Sequence, residues 1–178
     1  MEILRVVITG AVGSGKTTFI RNISEIDVVD TDKRATDETS EIKLRTTVAL
    51  DFGRLTIAPN QSLHLYGTPG QERFEFMWEI LIKKANAYIL LVDAHRPESL
   101  RYSRRILNFM KRQTQIPMLI GVTHTDCEEA WEINDIALAL GVVKEDTTIM
   151  KVNANDKNSV FIMLLKLVEK LAESYQYS

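Results

Sequence analysis

"GAVGSGKTT", residues 10–18, follows the apolar run "ILRVVITG" (3–10) and opens a helical pattern. It fits G-x-x-x-x-G-K-[ST], with Gly10, Gly15, Lys16 and Thr17 in register. The motif carries meaning only between a strand and a helix, and here it has both neighbours. Its glycines let backbone N–H groups approach phosphate oxygens, and the helix N-terminus adds partial positive charge. Lys16 can reach the outer phosphates, and the Thr17 hydroxyl suits magnesium. The stretch therefore predicts a polyphosphate cradle built from Gly13, Ser14, Gly15, Lys16, Thr17 and Thr18. A chance glycine-rich turn is the alternative, and the strand–helix context weighs against it.

Outward from this loop, short apolar runs alternate with helical patterns. A helix is predicted over 16–23, then a polar, aperiodic loop over 25–46. Loops of that length inside a small domain usually carry function. Apolar runs at 46–57 and 62–67, separated by "APNQ", predict a hairpin. Helices follow near 72–85, 97–113, 128–140 and 158–174, with strands at 87–94, 117–124 and 147–154. In the last helix Phe161, Leu164, Leu165, Val168 and Leu171 recur at helical spacing, which predicts a core-facing stripe. The alternation implies an α/β, three-layer P-loop NTPase fold. Its sheet would be mostly parallel, of about six strands with one antiparallel, covered by helices on both faces. Ligands in such folds sit at the carboxyl ends of the strands.

Composition narrows the partners. The 178 residues predict a single nucleotide-binding domain over 1–178. With 45% apolar and 26% charged residues the chain is ordinary globular material. A net charge of -2 gives no electrostatic ground for nucleic acid or an anionic membrane. The single Cys127 cannot form an internal disulfide, which fits a reducing compartment. No run is long enough to span a bilayer, residue 2 is Glu2, and "SYQYS" holds no prenylation cysteine. The expectation is a cytoplasmic protein with no direct membrane anchor, a monomer or weak dimer.

Four stretches carry a family resemblance: "GAVGSGKTT", "TTVALDF", "GTPGQERF" and "THTD", with a weaker match at "VNAND". On these the chain resembles the Ras-like small GTPases from Leu4 to about Leu171, and is especially similar to bacterial and archaeal branches, including the bacterial gliding-polarity GTPases. The resemblance implies GTP or GDP as ligand with Mg2+ as cofactor. It implies that Thr47 closes over the magnesium and the terminal phosphate, that the Gly70 N–H contacts that phosphate, and that Gln71 orients the attacking water. Loss of the γ-phosphate would release the loops that carry these contacts. Taken without the family, Gln71 is an exposed residue at a helix start.

The resemblance also raises a difficulty. In relatives a metal-associated aspartate sits three residues before that glycine, and here the position is Gly67. Asp93 ends the apolar strand "AYILLVD", but related proteins often carry an Asp there without using it for metal. Asp51 is favoured on geometry. A turn near Pro59–Asn60, with leucines kept on one face, is satisfied by pairs whose numbers sum to 118, which sets Asp51 opposite Gly67; a two-residue slip keeps the face, and a one-residue slip would put leucine against polar partners. Directly opposed β-carbons lie about 4.5–5.5 Å apart. Asp51 would then serve the metal site, through a bound water, or else only support the Thr47 loop.

Base reading is altered as well. "GVTHTD" stands where Asn-Lys-x-Asp is usual. Asp126 can accept two hydrogen bonds from guanine; Thr123 can link to the phosphate loop; His124 can stack on the base or ribose, or be a plain loop histidine. In "VNAND", Asn153 and Ala154 match the segment whose alanine N–H meets the guanine carbonyl. Val12 stands beside the γ-phosphate position, which predicts slow hydrolysis. Arg45, two residues before Thr47, is either a charge supplied from within the chain or a solvated loop residue. In "QERFEFMWEILIKKA", Phe74, Met77, Trp78 and Leu81 can face the core, while Phe76 and Ile80 face a partner or the neighbouring helix. The expected function is a slow GTP-hydrolysing switch that binds regulatory and effector proteins through loops 25–47 and 67–80. A P-loop small-molecule kinase and a nucleotide-locked scaffold are the alternatives.

Overall fold

The structure is a computed structural model that describes residues 2–30, 50–143 and 145–176. Its centre is a seven-stranded sheet in the order β2-β3-β4-β1-β5-β6-β7. The strands are β1 (Glu2–Gly10), β2 (Val29–Asp30), β3 (Asp51–Ala58), β4 (Gln61–Gly67), β5 (Ala87–Asp93), β6 (Met118–Thr123) and β7 (Ile149–Lys151). β1 pairs parallel with β4 and β5, and β5, β6 and β7 continue parallel. β3 runs antiparallel to both of its neighbours. One strand more than expected is present, the two-residue β2 at the sheet edge.

The helices are α1 (Lys16–Ile23), α2 (Phe76–Ile82), α3 (Leu100–Gln113), α4 (Ile133–Leu140) and α5 (Lys157–Gln176). Short 3-10 turns at Glu72–Phe74 and Pro97–Ser99 precede α2 and α3, so those two helices begin later than the sequence pattern implies. Pro97 lacks the N–H of a helix interior and occupies the opening turn, where none is required. The last strand is trimmed to three residues, and α4 starts only at Ile133.

Side-chain alternation along the central strands feeds two cores. Val6, Ile8, Ile89 and Leu91 point to one face and meet α1 and α5 through Phe19, Ile20, Met163 and Leu167. Val7, Tyr88, Leu90 and Val92 point to the other and meet α2, α3 and α4 through Trp78, Ile106, Met110 and Ile136. Every residue of β5 is buried, as a strand covered on both faces requires. Met77, Trp78 and Leu81 are buried, Phe74 and Ile80 pack partly against this core, and Phe76 stays exposed.

The expected stripe of α5 needs correction. Leu164 and Leu171 are buried and Val168 packs partly, but Phe161 and Leu165 are exposed. Val160, Met163 and Leu167 take the core face instead. Two apolar stripes run along this helix, and periodicity by itself cannot choose between them.

The hairpin has the register that the side-chain faces predict. Leu55 pairs Leu63, Arg54 pairs His64, Gly53 pairs Leu65 and Asp51 pairs Gly67. An irregularity between Thr56 and Ala58 falls next to the turn. Asp51 thereby reaches the carboxyl-end rim of the sheet, where β1 delivers the phosphate loop.

Candidate functional site

The phosphate loop leaves β1 at Gly10 and enters α1 at Lys16. Gly15 caps the helix with φ 102°, a left-handed conformation that L side chains rarely adopt. Lys16 is almost fully buried. Its Nζ donates to the Gly10 carbonyl at 2.9 Å and the Ala11 carbonyl at 2.8 Å. Burial pulls its pKa down to about 8, and the nearby negative charge of Asp51 works against that fall. A phosphate placed in the loop would offer this ammonium a far better partner than two carbonyls.

Thr17, one residue further, donates its hydroxyl to Asp51 Oδ2 at 2.5 Å. Asp51 fills the space that a side chain at 67 would need. A Cβ on Gly67 would stand 3.1 Å from Asp51 Cβ and 3.4 Å from Asp51 Oδ2. The hydroxyl and the carboxylate lie side by side, two hard oxygen donors at the mouth of the cradle. Magnesium in nucleotide sites commonly takes only one or two protein oxygens, the rest coming from phosphates and water. These residues fit such an ion. Thr47 and Arg45, expected to act here, lie outside the described residues.

The turn after β4 closes over the loop. Thr68 donates its N–H to the Ile8 carbonyl at 2.9 Å, and its hydroxyl to Thr9 Oγ1 at 2.9 Å. Gly70 then runs so close that a Cβ on it would lie 2.8 Å from Val12 N and 3.0 Å from Lys16 Nζ. Gln71 is exposed at the head of the following 3-10 turn. Arg105 of α3 ties this segment to the body through Glu75, at 2.7 Å. Val12 is exposed at the lip of the loop.

On the base side, Thr123 donates its hydroxyl to the Ser14 carbonyl at 2.8 Å, which joins the end of β6 to the phosphate loop. His124 adopts φ 56° and lies between Thr123 Oγ1, at 3.1 Å, and Asp93 Oδ1, at 3.2 Å, from its Nδ1. Asp126 is exposed in the turn that Cys127 N closes onto the His124 carbonyl. Ala154 is buried, and its Cβ would lie 3.3 Å from a Cβ on Gly15. Asn153 shapes that second turn by accepting from Asn155 N at 3.0 Å. Thr18 sits half-buried on α1.

Asp93 faces away from the Thr17–Asp51 pair in its contacts. It is 3% exposed and accepts from His95 N at 2.9 Å. Its other oxygen pairs with Arg96 Nε at 3.7 Å. The guanidinium of Arg96 reaches Gly13, a neighbour that sequence reasoning missed. Only the parallel pairing of β1 with β5, Gly10 beside Leu91, brings these segments together.

A phosphate loop on β1, a closing turn from β4 and a shelf from β6 and β7 together define a P-loop nucleotide-binding fold of the small-GTPase shape. An Arl6 small GTPase of Trypanosoma brucei, solved with the nucleotide analogue GppNp, has the same fold. Its TM-score is 0.74 at 18% identity, with 96% of this chain and 98% of that one covered.

Within that class, the chain belongs to the family described as "Conserved hypothetical ATP binding protein", which it matches over residues 26–175. An uncharacterized protein of Methanocaldococcus jannaschii is 33% identical over 124 residues, which cover 69% of this chain and 71% of that protein. Ras-related protein rapC of Dictyostelium discoideum is 25% identical, over 96% of this chain and 62% of its own length. The chain thus spans about three fifths of rapC. Among the described residues no helix is long and apolar enough to cross a membrane.

Proposed function

We propose that this chain is a guanine-nucleotide switch that hydrolyses GTP slowly and changes partner affinity with nucleotide state. One observation carries the reading: Gly70 rests against both Val12 and Lys16, so the turn 68–71 touches the groups that would grip a terminal phosphate. When Lys16 leaves the carbonyls of Gly10 and Ala11 for phosphate oxygens, that turn must adjust to the group standing between them. Thr17 and Asp51 hold the magnesium side, either directly or through water, and Thr47 completes it. A magnesium ion held by these residues would neutralise negative charge on the phosphates. Gln71 orients water, and Arg45 is the candidate for an added charge. Val12 crowds this approach and slows turnover.

Asp126 favours guanine because a carboxylate can take both hydrogen bonds that guanine's ring N–H and amine donate. Ala154 offers its backbone N–H to the guanine carbonyl, and the shelf of Asn153 and Thr123 places these groups beside the cradle. State-dependent contact with regulatory and effector proteins runs through 25–47 and 67–80. The reading places the protein in the cytoplasm of a prokaryote and, on a net charge of -2, without nucleic-acid partners.

The family's description favours a second reading, adenine nucleotide, and the Thr-His pair in place of Asn-Lys gives it some chemical ground. Nucleotide content after purification, followed by single-turnover GTP and ATP assays, separates the readings. A switch hydrolyses GTP slowly and alters hydrogen-exchange protection of 67–80 between GDP and a GTP analogue. Retained nucleotide without hydrolysis indicates a scaffold, acceptor-dependent turnover a kinase, and preference for ATP the second reading.

A further inference from the structure

We propose that Arg96 is a second cationic contact for the polyphosphate chain, delivered beside Gly13 and held there by Asp93. The inference rests on the nucleotide-binding reading above. Arg96 follows the carboxyl end of β5 by three residues. Its Nη1 stands 3.1 Å, and its Cζ 3.7 Å, from where a Cβ on Gly13 would be. The guanidinium therefore lies against the loop at Gly13, on the side to which that residue's side chain would point.

Asp93 explains why it stays there. The carboxylate is 3% exposed, so its charge needs cationic or hydrogen-bonding partners. It faces Arg96 Nε at 3.7 Å, His124 Nδ1 at 3.2 Å and His95 N at 2.9 Å. Ser99 adds a brace by donating its hydroxyl to the Arg96 carbonyl at 2.7 Å. Arginine carries five N–H donors in a rigid fork. With Nε turned to Asp93, the two terminal nitrogens extend toward the loop. The Arg96 side chain is 57% exposed, so its donors stay open to a ligand. Planar, always charged and forked, the group matches phosphate oxygens.

The chain also needs such a charge. The base-reading segment "THTD" holds no lysine, and His124 is occupied by Asp93 and Thr123. Arg96 supplies fixed positive charge on that side of the loop, while Lys16 supplies it from below. Asp93 serves both Arg96 and His124, so the phosphate side and the base side share one buried anchor. Asp93 is on this account a positioning residue, and Arg96 a binding residue.

The test uses the full chain stripped of nucleotide, with fluorescent GDP in magnesium and in EDTA. Arg96→Ala should raise the Kd by about tenfold or more, by the same factor in both buffers, because the contact does not pass through the ion. Arg96→Lys should recover part of the loss. Asp93→Asn should lose less than Arg96→Ala and add little on top of it, as a shared interaction requires. The ligand-free melting temperature of Arg96→Ala should fall only slightly, because His124 Nδ1 and His95 N still face Asp93, and Arg96→Lys should restore it. Affinity within about twofold of wild type, a loss confined to magnesium, or a lowered ligand-free melting temperature without rescue by lysine each overturns the inference. If wild type binds GDP, Lys16→Ala does not, and Arg96→Ala is normal, only this inference falls. If wild type fails to bind GDP, the switch reading falls, and the series is repeated with ADP.

Discussion

Moving the carboxylate back across the hairpin probes the metal side directly. Asp51 and Gly67 are paired, and a Cβ at 67 would stand 3.1 Å from Asp51 Cβ, so the two positions address one volume. Asp51→Asn keeps the size but removes the charge that accepts the Thr17 hydroxyl at 2.5 Å. A hydrogen bond to a charged group contributes about 1.5–3 kcal/mol, so magnesium-dependent GDP affinity should fall by about 10- to 100-fold. Gly67→Asp alone puts a Cβ 3.1 Å from Asp51 Cβ and 3.4 Å from Asp51 Oδ2, and this steric repulsion pushes the Asp51 carboxylate off the Thr17 hydroxyl. It should bind as poorly as Asp51→Asn or worse. The exchange Asp51→Gly with Gly67→Asp removes that repulsion and leaves only the Ile20 Cδ1 methyl, 3.0 Å from the new Cβ, to yield. It should regain most of the lost affinity. GDP release, followed in magnesium and in EDTA, reads the outcome, and in EDTA all four proteins should release alike. An Asp51→Asn protein that holds GDP normally in magnesium, or one less impaired there than Asp93→Asn, refutes the reasoning.

Three further outcomes are expected. Gly70→Ala should slow single-turnover GTP hydrolysis by about 100-fold, the scale of a 1 Å misplacement, while GDP affinity changes little; its Cβ would lie 2.8 Å from Val12 N. Gly121→Ala should lower stability by about 1–3 kcal/mol in urea titrations, since its Cβ would meet Leu91, Met163 and Val152 side chains at 2.8, 2.9 and 2.9 Å. The third concerns pH. Burial holds Lys16 at about 8 against 10.5 for an ordinary lysine. Below the lower value both folded and unfolded chains carry the ammonium, and the burial cost is fully present. Between the two values only the unfolded chain keeps the proton, so ligand-free stability should gain up to about 3 kcal/mol as pH rises. Urea midpoints across that range should show the gain in wild type and lose it in Lys16→Met.

What the sequence determined by itself was local or periodic. The phosphate-loop motif is nine consecutive residues that run from the end of a strand into a helix, so its chemistry needs no tertiary information. The hairpin register was partly legible: leucines at two-residue spacing must share a face, which excludes a one-residue slip, and the structure sets Asp51 against Gly67 among the registers that remain. Alternation of strands and helices implied a mostly parallel sheet with helices on both faces, while the strand order came from the structure. Tertiary structure decided what depends on neighbours distant in the chain. It chose Val160, Met163 and Leu167 over Phe161 and Leu165 because only the packing against α1 and the sheet at β6 breaks the tie between two apolar stripes. It turned Asp93 toward His124 and Arg96, and it set Arg96 over Gly13, 83 positions away in sequence. No pattern in a single chain encodes such a contact, because it exists only once β1 and β5 lie side by side.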